Sequence, residues 1–250
     1  MNSICLLINN ELKPTTKKVL SVLFFNLIGV FLFYLVFILG LNTLLPRINF
    51  INTSQYMFPG IIAFISGVIA YGLSSVNTWK MSNVSGLMDQ IRTSNLSLWQ
   101  IHLSKSISFV IETIIHMVLS SIFLYIVIGF SLPFAYILFF WVYLIFGVFF
   151  IIQIGIIVST LIVNQTTHFL IIIFIVIPLF LLSGMIVPTS YYPEVFSQII
   201  YYIPTTAIIE GGRELFINHS LNLFYFLYLI GLGIVTYFVS YSVFKRKLER

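Results

Sequence analysis

Residues 113–193 read TIIHMVLSSIFLYIVIGFSLPFAYILFFWVYLIFGVFFIIQIGIIVSTLIVNQTTHFLIIIFIVIPLFLLSGMIVPTSYYP, and these 81 residues contain no Asp, Glu, Lys or Arg. One membrane crossing takes about 20 apolar residues, so the stretch is too long for one span and long enough for three. Glu112 and Glu194 close it on either side. The rest of the chain has the same character. It is 60% hydrophobic and 8% charged, with a mean hydropathy of +1.08, where a soluble domain carries roughly 25% charged residues. Lipid, not water, is the solvent for most of these side chains.

Outward from that stretch, uncharged apolar runs predict six spanning helices, near 19–41, 57–78, 106–129, 134–160, 169–187 and 221–244. Polar or proline-bearing segments separate them at 42–56, 79–105, 131–133 and 188–220, with a weaker, uncharged turn at 164–168. The fold class is therefore an all-α polytopic membrane protein, a single transmembrane domain over 1–250. Its amino-terminal segment is 1–18 and its tail 245–250.

An even number of spans puts both ends on one side. Lys13, Lys17, Lys18, Lys80, Arg92, Lys105, Lys245, Arg246, Lys247 and Arg250 fall on that side, against Arg47 and Arg213 on the other. Basic residues collect in cytoplasmic loops, so ten against two predicts cytoplasmic termini, with Glu194, Glu210 and Glu214 outside. The net charge of +5 belongs to this asymmetry and not to nucleic-acid binding. The lone Cys5 excludes an intrachain disulfide and a thiolate cluster, and the first 18 residues carry no cleavable-signal pattern.

Within the spans, Gly60, Ala63, Gly67, Ala70 and Ser74 form one stripe of small residues, which predicts close helix packing inside the protomer. Pro178 removes a backbone hydrogen bond from the fifth span and predicts a distortion there.

Two connecting segments do more than connect. In the loop between the second and third spans, Val84, Leu87, Met88 and Ile91 recur at i, i+3, i+4, i+7, opposite Ser85, Asp89, Gln90 and Arg92. This predicts a short amphipathic helix capped by Asn83, either lying on lipid or docking a cytosolic partner. A second helix starts at Ser97, where Ser97-Leu98-Trp99-Gln100 fits a capping box, and runs into the third span. Trp99 and Lys105 suit the membrane interface.

The other segment follows the fifth span and reads Ser183-Gly184-Met185-Ile186-Val187-Pro188-Thr189-Ser190-Tyr191-Tyr192-Pro193. Pro193 suits a first helical position, and Pro204 interrupts the pattern about ten residues later. That is too short to cross the bilayer and too apolar for a free loop, so a re-entrant or interfacial helical hairpin is expected.

These two segments resemble the signatures of ATP-binding-cassette (ABC) type-2 transporter permeases, and of their drug and antibiotic exporter branch in particular. The first is Gly86-Leu87-Met88-Asp89-Gln90-Ile91-Arg92-Thr93 followed by Leu96-Ser97-Leu98-Trp99-Gln100-Ile101. The second is Ser183-Gly184-Met185 with Pro188, Tyr192-Pro193, Pro204-Thr205 and Arg213. The resemblance implies a plasma-membrane permease working as a homodimer or heterodimer with cytosolic ABC ATPase subunits. Gly86, Leu87, Met88, Asp89, Gln90, Ile91 and Arg92 would couple to the ATPase, and Gly184, Pro188, Tyr192, Pro193 and Pro204 would form an extracellular gate. The expected activity is ATP-driven export of an amphiphilic or hydrophobic cargo such as a drug, antibiotic, lipid or peptide, with a lipid-linked glycan as the alternative. The sequence contains no G-x-x-x-x-G-K-[ST] phosphate loop, so ATP and Mg are expected on a partner chain and no cofactor on this one.

Enzyme readings are weaker. Glu112 and His116 are an i, i+4 pair inside the third span, and such residues are functional candidates. A helix–helix hydrogen bond or water contact near the cytoplasmic boundary is the better account of them. No H-E-x-x-H occurs, and His102, His168 and His219 are scattered over what read as different loops, so no metal site is expected. Glu210, Arg213 and Glu214 stand at helical spacing and read as surface ion pairs.

Overall fold

Backbone polar groups have no water to bond in a bilayer, so apolar segments of this length close their hydrogen bonds as helices. A computed structural model describes residues 8, 24, 26–48, 51–83, 96–129 and 134–248. Six helices among these are long and apolar enough to cross a membrane: α1 (Asn26–Leu44), α2 (Thr53–Asn83), α3 (Leu98–Ile128), α4 (Phe134–Leu161), α5 (Gln165–Met185) and α8 (Leu223–Leu248). Two shorter helices, α6 (Glu194–Tyr201) and α7 (Pro204–Ile217), lie between α5 and α8. The six expected spans are all present. The second and third are longer than predicted, because each helix continues past its apolar run into the polar loop residues.

Among the described residues the strand structure is a two-residue antiparallel pair, β1 (Arg47–Ile48) with β2 (Ile51–Asn52), in register Arg47 with Asn52. It joins α1 to α2, and Thr53 clamps it by donating from its hydroxyl to Leu45 O and from its amide to Pro46 O.

Helix α2 is the centre of the bundle. Its apolar window is 78% buried, against 11% for α1, which therefore presents most of its apolar surface outward. The small-residue stripe explains this position. A Cβ on Gly60 would stand 3.1 Å from the backbone of Met185, and one on Gly67 would overlap the Phe180 ring. Across the bundle a Cβ on Gly155 of α4 would overlap Ser74 Oγ. The stripe thus packs within the protomer, as expected, and brings α2 against both α4 and α5.

The ends alternate as the spans predict. At one end His102, in the second turn of α3, packs beside Phe244 near the end of α8, Trp79 of α2 donates to Val163 O after α4, and Lys247 donates to Thr160 O over 3.1 Å. These last two bonds fill carbonyls that the end of α4 leaves without helical partners. Lys80, Lys105, Lys245 and Arg246 sit at this end and Arg47 and Arg213 at the other, the separation on which the charge asymmetry rests.

Local rules also hold where they were read. Ser97 is the N-cap of α3, its Oγ accepting from Gln100 N while its amide donates to Gln100 Oε1, a complete capping box. The segment 164–168, read as a turn, is instead the start of α5, with Asn164 as its cap accepting from Thr166 N over 3.0 Å. Around Pro178 the helix widens into a π-helical turn over Ile172–Val176, which makes room for the ring that would strike the carbonyl four residues earlier.

Asn83 is the last described residue of α2, its Nδ2 donating to Trp79 O over 3.1 Å, and the amphipathic helix it was expected to cap lies outside the described residues. Lys105, which suits the membrane interface by its charge, is buried (8% exposed). His102 and His168 belong to helices and are buried, and only His219 lies in a loop. The turn at 131–133, the segment 1–7 and most of 9–25 lie outside the described residues.

Many polar side chains inside the bundle find partners within it, although the hydroxyls of Ser66, Tyr71, Thr78 and Thr206 are buried without one among the described residues. Ser74, Ser108, Thr113, Ser121 and Thr160 each donate to the carbonyl four residues back. A longer chain links three helices: Gln153 Nε2 of α4 donates to Ser106 Oγ of α3 over 3.2 Å, Ser240 Oγ of α8 lies 2.6 Å from Gln153 Oε1, and His102 Nε2 of α3 lies 3.0 Å from Ser240 Oγ. All four residues are at most 1% exposed. Gln153→Leu is expected to leave Ser106 and Ser240 short of partners and to lower stability by about 1–3 kcal/mol. Thermal unfolding in detergent, beside Ser240→Ala and the double variant, checks the coupling.

Candidate functional site

The end of α5 is built to stop. Ser183 (φ −76°, ψ 18°) and Gly184 (φ 86°, ψ 13°) leave helical geometry, and the positive φ at Gly184 is one that side-chain-bearing residues rarely adopt. A Cβ there would also stand 2.9 Å from Thr189 Cγ2 and 3.0 Å from Glu210 Oε1. Breaking the helix strands carbonyls that a continuing turn would have used. The Ser183 hydroxyl turns back to Leu179 O over 2.6 Å and also contacts the Thr205 hydroxyl at the start of α7, so the end of one element is tied to the beginning of the next.

The stranded carbonyls are taken by Arg213, from the middle of α7. Its Nη2 donates to Gly184 O and, over 3.2 Å, to Met185 O. Its Nε donates to Tyr56 O of α2 over 3.1 Å, and its Nη1 bonds Glu210 Oε1 at 2.7 Å. The guanidinium carbon lies 3.7 Å from the centre of the Tyr56 ring, a cation–π contact. The planar fork of donors suits this task, since one side chain reaches three separate elements. The expectation of surface ion pairing is corrected here. The Arg213 side chain is 3% exposed and the Glu210 side chain 23%, because α7 is sunk between α2, α4 and the end of α5 instead of lying on the surface. Burial pushes the Glu210 carboxyl above its ordinary range, and Arg213 pulls it part of the way back. Glu214 instead accepts from Asn222 Nδ2 over 3.1 Å, which fastens the end of α7 to the start of α8.

Close packing holds α7 in place. Gly211 and Gly212 leave no room for a Cβ against the rings of Tyr143 and Phe140, and the Tyr143 hydroxyl donates to Ala207 O. Beside Arg213 opens a cavity of about 310 Å³, lined by Tyr56, Pro188, Thr189, Glu210, Arg213 and Glu214 among others.

The predicted gate residues are brought together only in part. Gly184 and Pro188 adjoin the Arg213 cluster. Tyr192 is half-buried and Pro193 is the exposed N-cap of α6. Pro204 is the first residue of α7 and so starts a second helix instead of merely ending one. Sequence reasoning missed Tyr56, whose carbonyl and ring both meet Arg213. The available signal was an arginine directly after Gly211-Gly212 in a chain with so few charges.

Gly86, Leu87, Met88, Asp89, Gln90, Ile91 and Arg92, the coupling call, lie outside the described residues, as does all of 84–95. Their flanks are described: α2 and α3 are uninterrupted helices of 31 residues each, or about 46 Å. Glu112 and His116 occupy the buried face of α3 at 8% and 4% exposed. Nearby, Asn26 of α1 donates to Ser120 Oγ over 3.0 Å and to the His116 backbone carbonyl over 3.5 Å, so α1 and α3 meet here. Among the described residues no three of His, Cys, Asp and Glu gather as a metal site would require.

No curated protein matches the chain. A family model does: that of the ABC-2 type transporter matches residues 5–217, well over half of the sequence, and the protein belongs to that family.

Proposed function

We propose that this chain is the membrane subunit of an ATP-driven exporter whose ATPase is a separate cytosolic polypeptide. The observation that carries the reading is membership of a transporter family over residues 5–217 in a sequence with no phosphate loop. On this reading Gly86, Leu87, Met88, Asp89, Gln90, Ile91 and Arg92 seat in the ATPase. The flanking helices support that role. A helix of about 46 Å outruns the roughly 30 Å hydrocarbon core, so α2 and α3 act as two levers leaving the membrane toward the loop that joins them.

A push there reaches the other end through α2 itself, since Tyr56 and Gly60 near its start touch Arg213 and Met185. The hairpin with Gly184, Pro188, Tyr192, Pro193 and Pro204 is the extracellular gate, and Arg213 is the residue that holds it to α2. Both termini are cytoplasmic in a plasma-membrane protein, by the ten-to-two distribution of basic residues. The cargo is amphiphilic or hydrophobic, in keeping with spans almost free of charge, and the transporter works with a second permease subunit, either identical or homologous.

The test is purification of the tagged chain from its own membranes. A soluble ATPase of the ABC type is expected to co-elute, and ATP-dependent accumulation of an amphiphilic dye is expected in inside-out vesicles. Dye flux that ignores ATP contradicts the proposal.

A further inference from the structure

A second concavity lies at the other end of the bundle, away from the hairpin. Leu103 of α3, Phe149 of α4 and Ile234, Tyr237 and Phe238 of α8 line an apolar groove of about 310 Å³. Ile234 and Phe238 are 53% and 56% exposed, so the groove opens outward toward the hydrocarbon. It differs from bare helix surface in what borders it. Toward the end of α8, Trp99 packs edge-on against Tyr237 at 4.9 Å and Tyr241 at 5.2 Å and lies 6.2 Å from Phe238, an aromatic cluster of the kind that marks the headgroup level.

The groove also has a charged end. Ile234, Phe238, Tyr241 and Lys245 follow at spacings of four, three and four, one face of α8, so the exposed Lys245 stands in line with the groove. Arg246, also exposed, is its neighbour. From Ile234 to Lys245 the helix rises about 16 Å, close to half of the roughly 30 Å hydrocarbon thickness and hence to one acyl chain of one leaflet. Apolar lining, aromatic collar and basic end come in the order in which a phospholipid presents chain, glycerol and phosphate.

We propose that this groove binds one anionic phospholipid, its acyl chain along Leu103, Phe149, Ile234 and Phe238, its glycerol region against Trp99 and Tyr241, and its phosphate at Lys245 and Arg246. The inference rests on the six-span fold and not on the exporter reading, and the lipid is a resident of the protein surface, not its cargo. Lipid here buttresses the α3–α4–α8 side of the bundle, over the buried His102–Ser240–Gln153–Ser106 chain.

Native mass spectrometry of the full-length chain in detergent tests this. Phosphatidylglycerol, phosphatidylcholine and sodium phosphate are the probes. One phosphatidylglycerol is expected to stay bound where phosphatidylcholine is lost, and dioctanoyl chains are expected to bind more weakly than dioleoyl ones on the unmodified protein. Lys245→Ala and Arg246→Ala should each weaken retention about fivefold. Leu103→Trp or Ile234→Trp, on two different helices, should fill the groove and weaken retention by about tenfold or more. Equal retention of phosphatidylcholine overturns the proposal. So does displacement of phosphatidylglycerol by sodium phosphate, or independence of chain length, either of which would reduce the site to a basic tail that meets any phosphate.

Discussion

Arg213→Ala is expected to lower the stability of the folded chain by about 3–5 kcal/mol, the usual consequence of removing one side of a buried, fully bonded charge cluster. The loss has identifiable parts. Gly184 O and Met185 O lose the donor that replaces the missing helical turn, Glu210 loses its counter-charge while mostly buried, and α2 loses its bond to the hairpin through Tyr56 O. Arg213→Lys should recover only a small share, because an ammonium is a point donor and cannot span Tyr56 O, Gly184 O and Glu210 Oε1 together. Glu210→Gln should be far milder, since an amide oxygen still accepts from Nη1. Unfolding of the purified variants in detergent, followed by tryptophan fluorescence, gives the order: wild type, then Glu210→Gln, then Arg213→Lys, then Arg213→Ala. If Arg213→Ala unfolds at the wild-type temperature, the guanidinium is not what holds the hairpin.

The second large effect is expected at Gly184. A Cβ forces a positive φ on a residue that avoids it, at about 1–2 kcal/mol, and places a methyl group 2.9 Å from Thr189 and 3.0 Å from Glu210. Overpacking of this kind adds about 1–3 kcal/mol. Gly184→Val, with a branched Cβ, should exceed Gly184→Ala, whereas Gly184→Asn should be better tolerated in backbone terms than valine. Displacing this turn moves the two carbonyls that Arg213 holds, so Gly184→Ala combined with Arg213→Ala should cost less than the sum of the two single variants. Additivity would mean that the turn and the arginine act independently, and the cluster described above would then be two unrelated features.

How far the sequence revealed this architecture differs from element to element. The spans were legible because charge-free length is a bilayer requirement that no tertiary contact alters, and the capping box at Ser97 because caps act within one turn. The stripe from Gly60 to Ser74 was legible as packing because small residues at helical spacing have one main use in lipid. Arg213 was misread for a physical reason. Its spacing from Glu210 is that of an exposed ion pair, and the partners that change its meaning, Tyr56 O and the Gly184 and Met185 carbonyls, stand 157, 29 and 28 residues away. The same holds for Ser240, which meets His102 across 138 residues and Gln153 across 87. Hydrogen bonds of this kind depend on which helices adjoin, and helical periodicity carries no information about neighbours.

On the proposed function, energy enters this chain from a separate ATPase at residues 86–92 and leaves it as movement of the hairpin held by Arg213. The most direct measurement is ATP turnover by the partner ATPase in proteoliposomes, alone, with the wild-type chain, and with Leu87→Asp and Met88→Asp introduced together. The account predicts that the wild-type chain raises turnover and that the double variant, still folded and inserted, abolishes the increase together with transport. Full transport by the chain without any ATPase, or unchanged stimulation by the double variant, would contradict it.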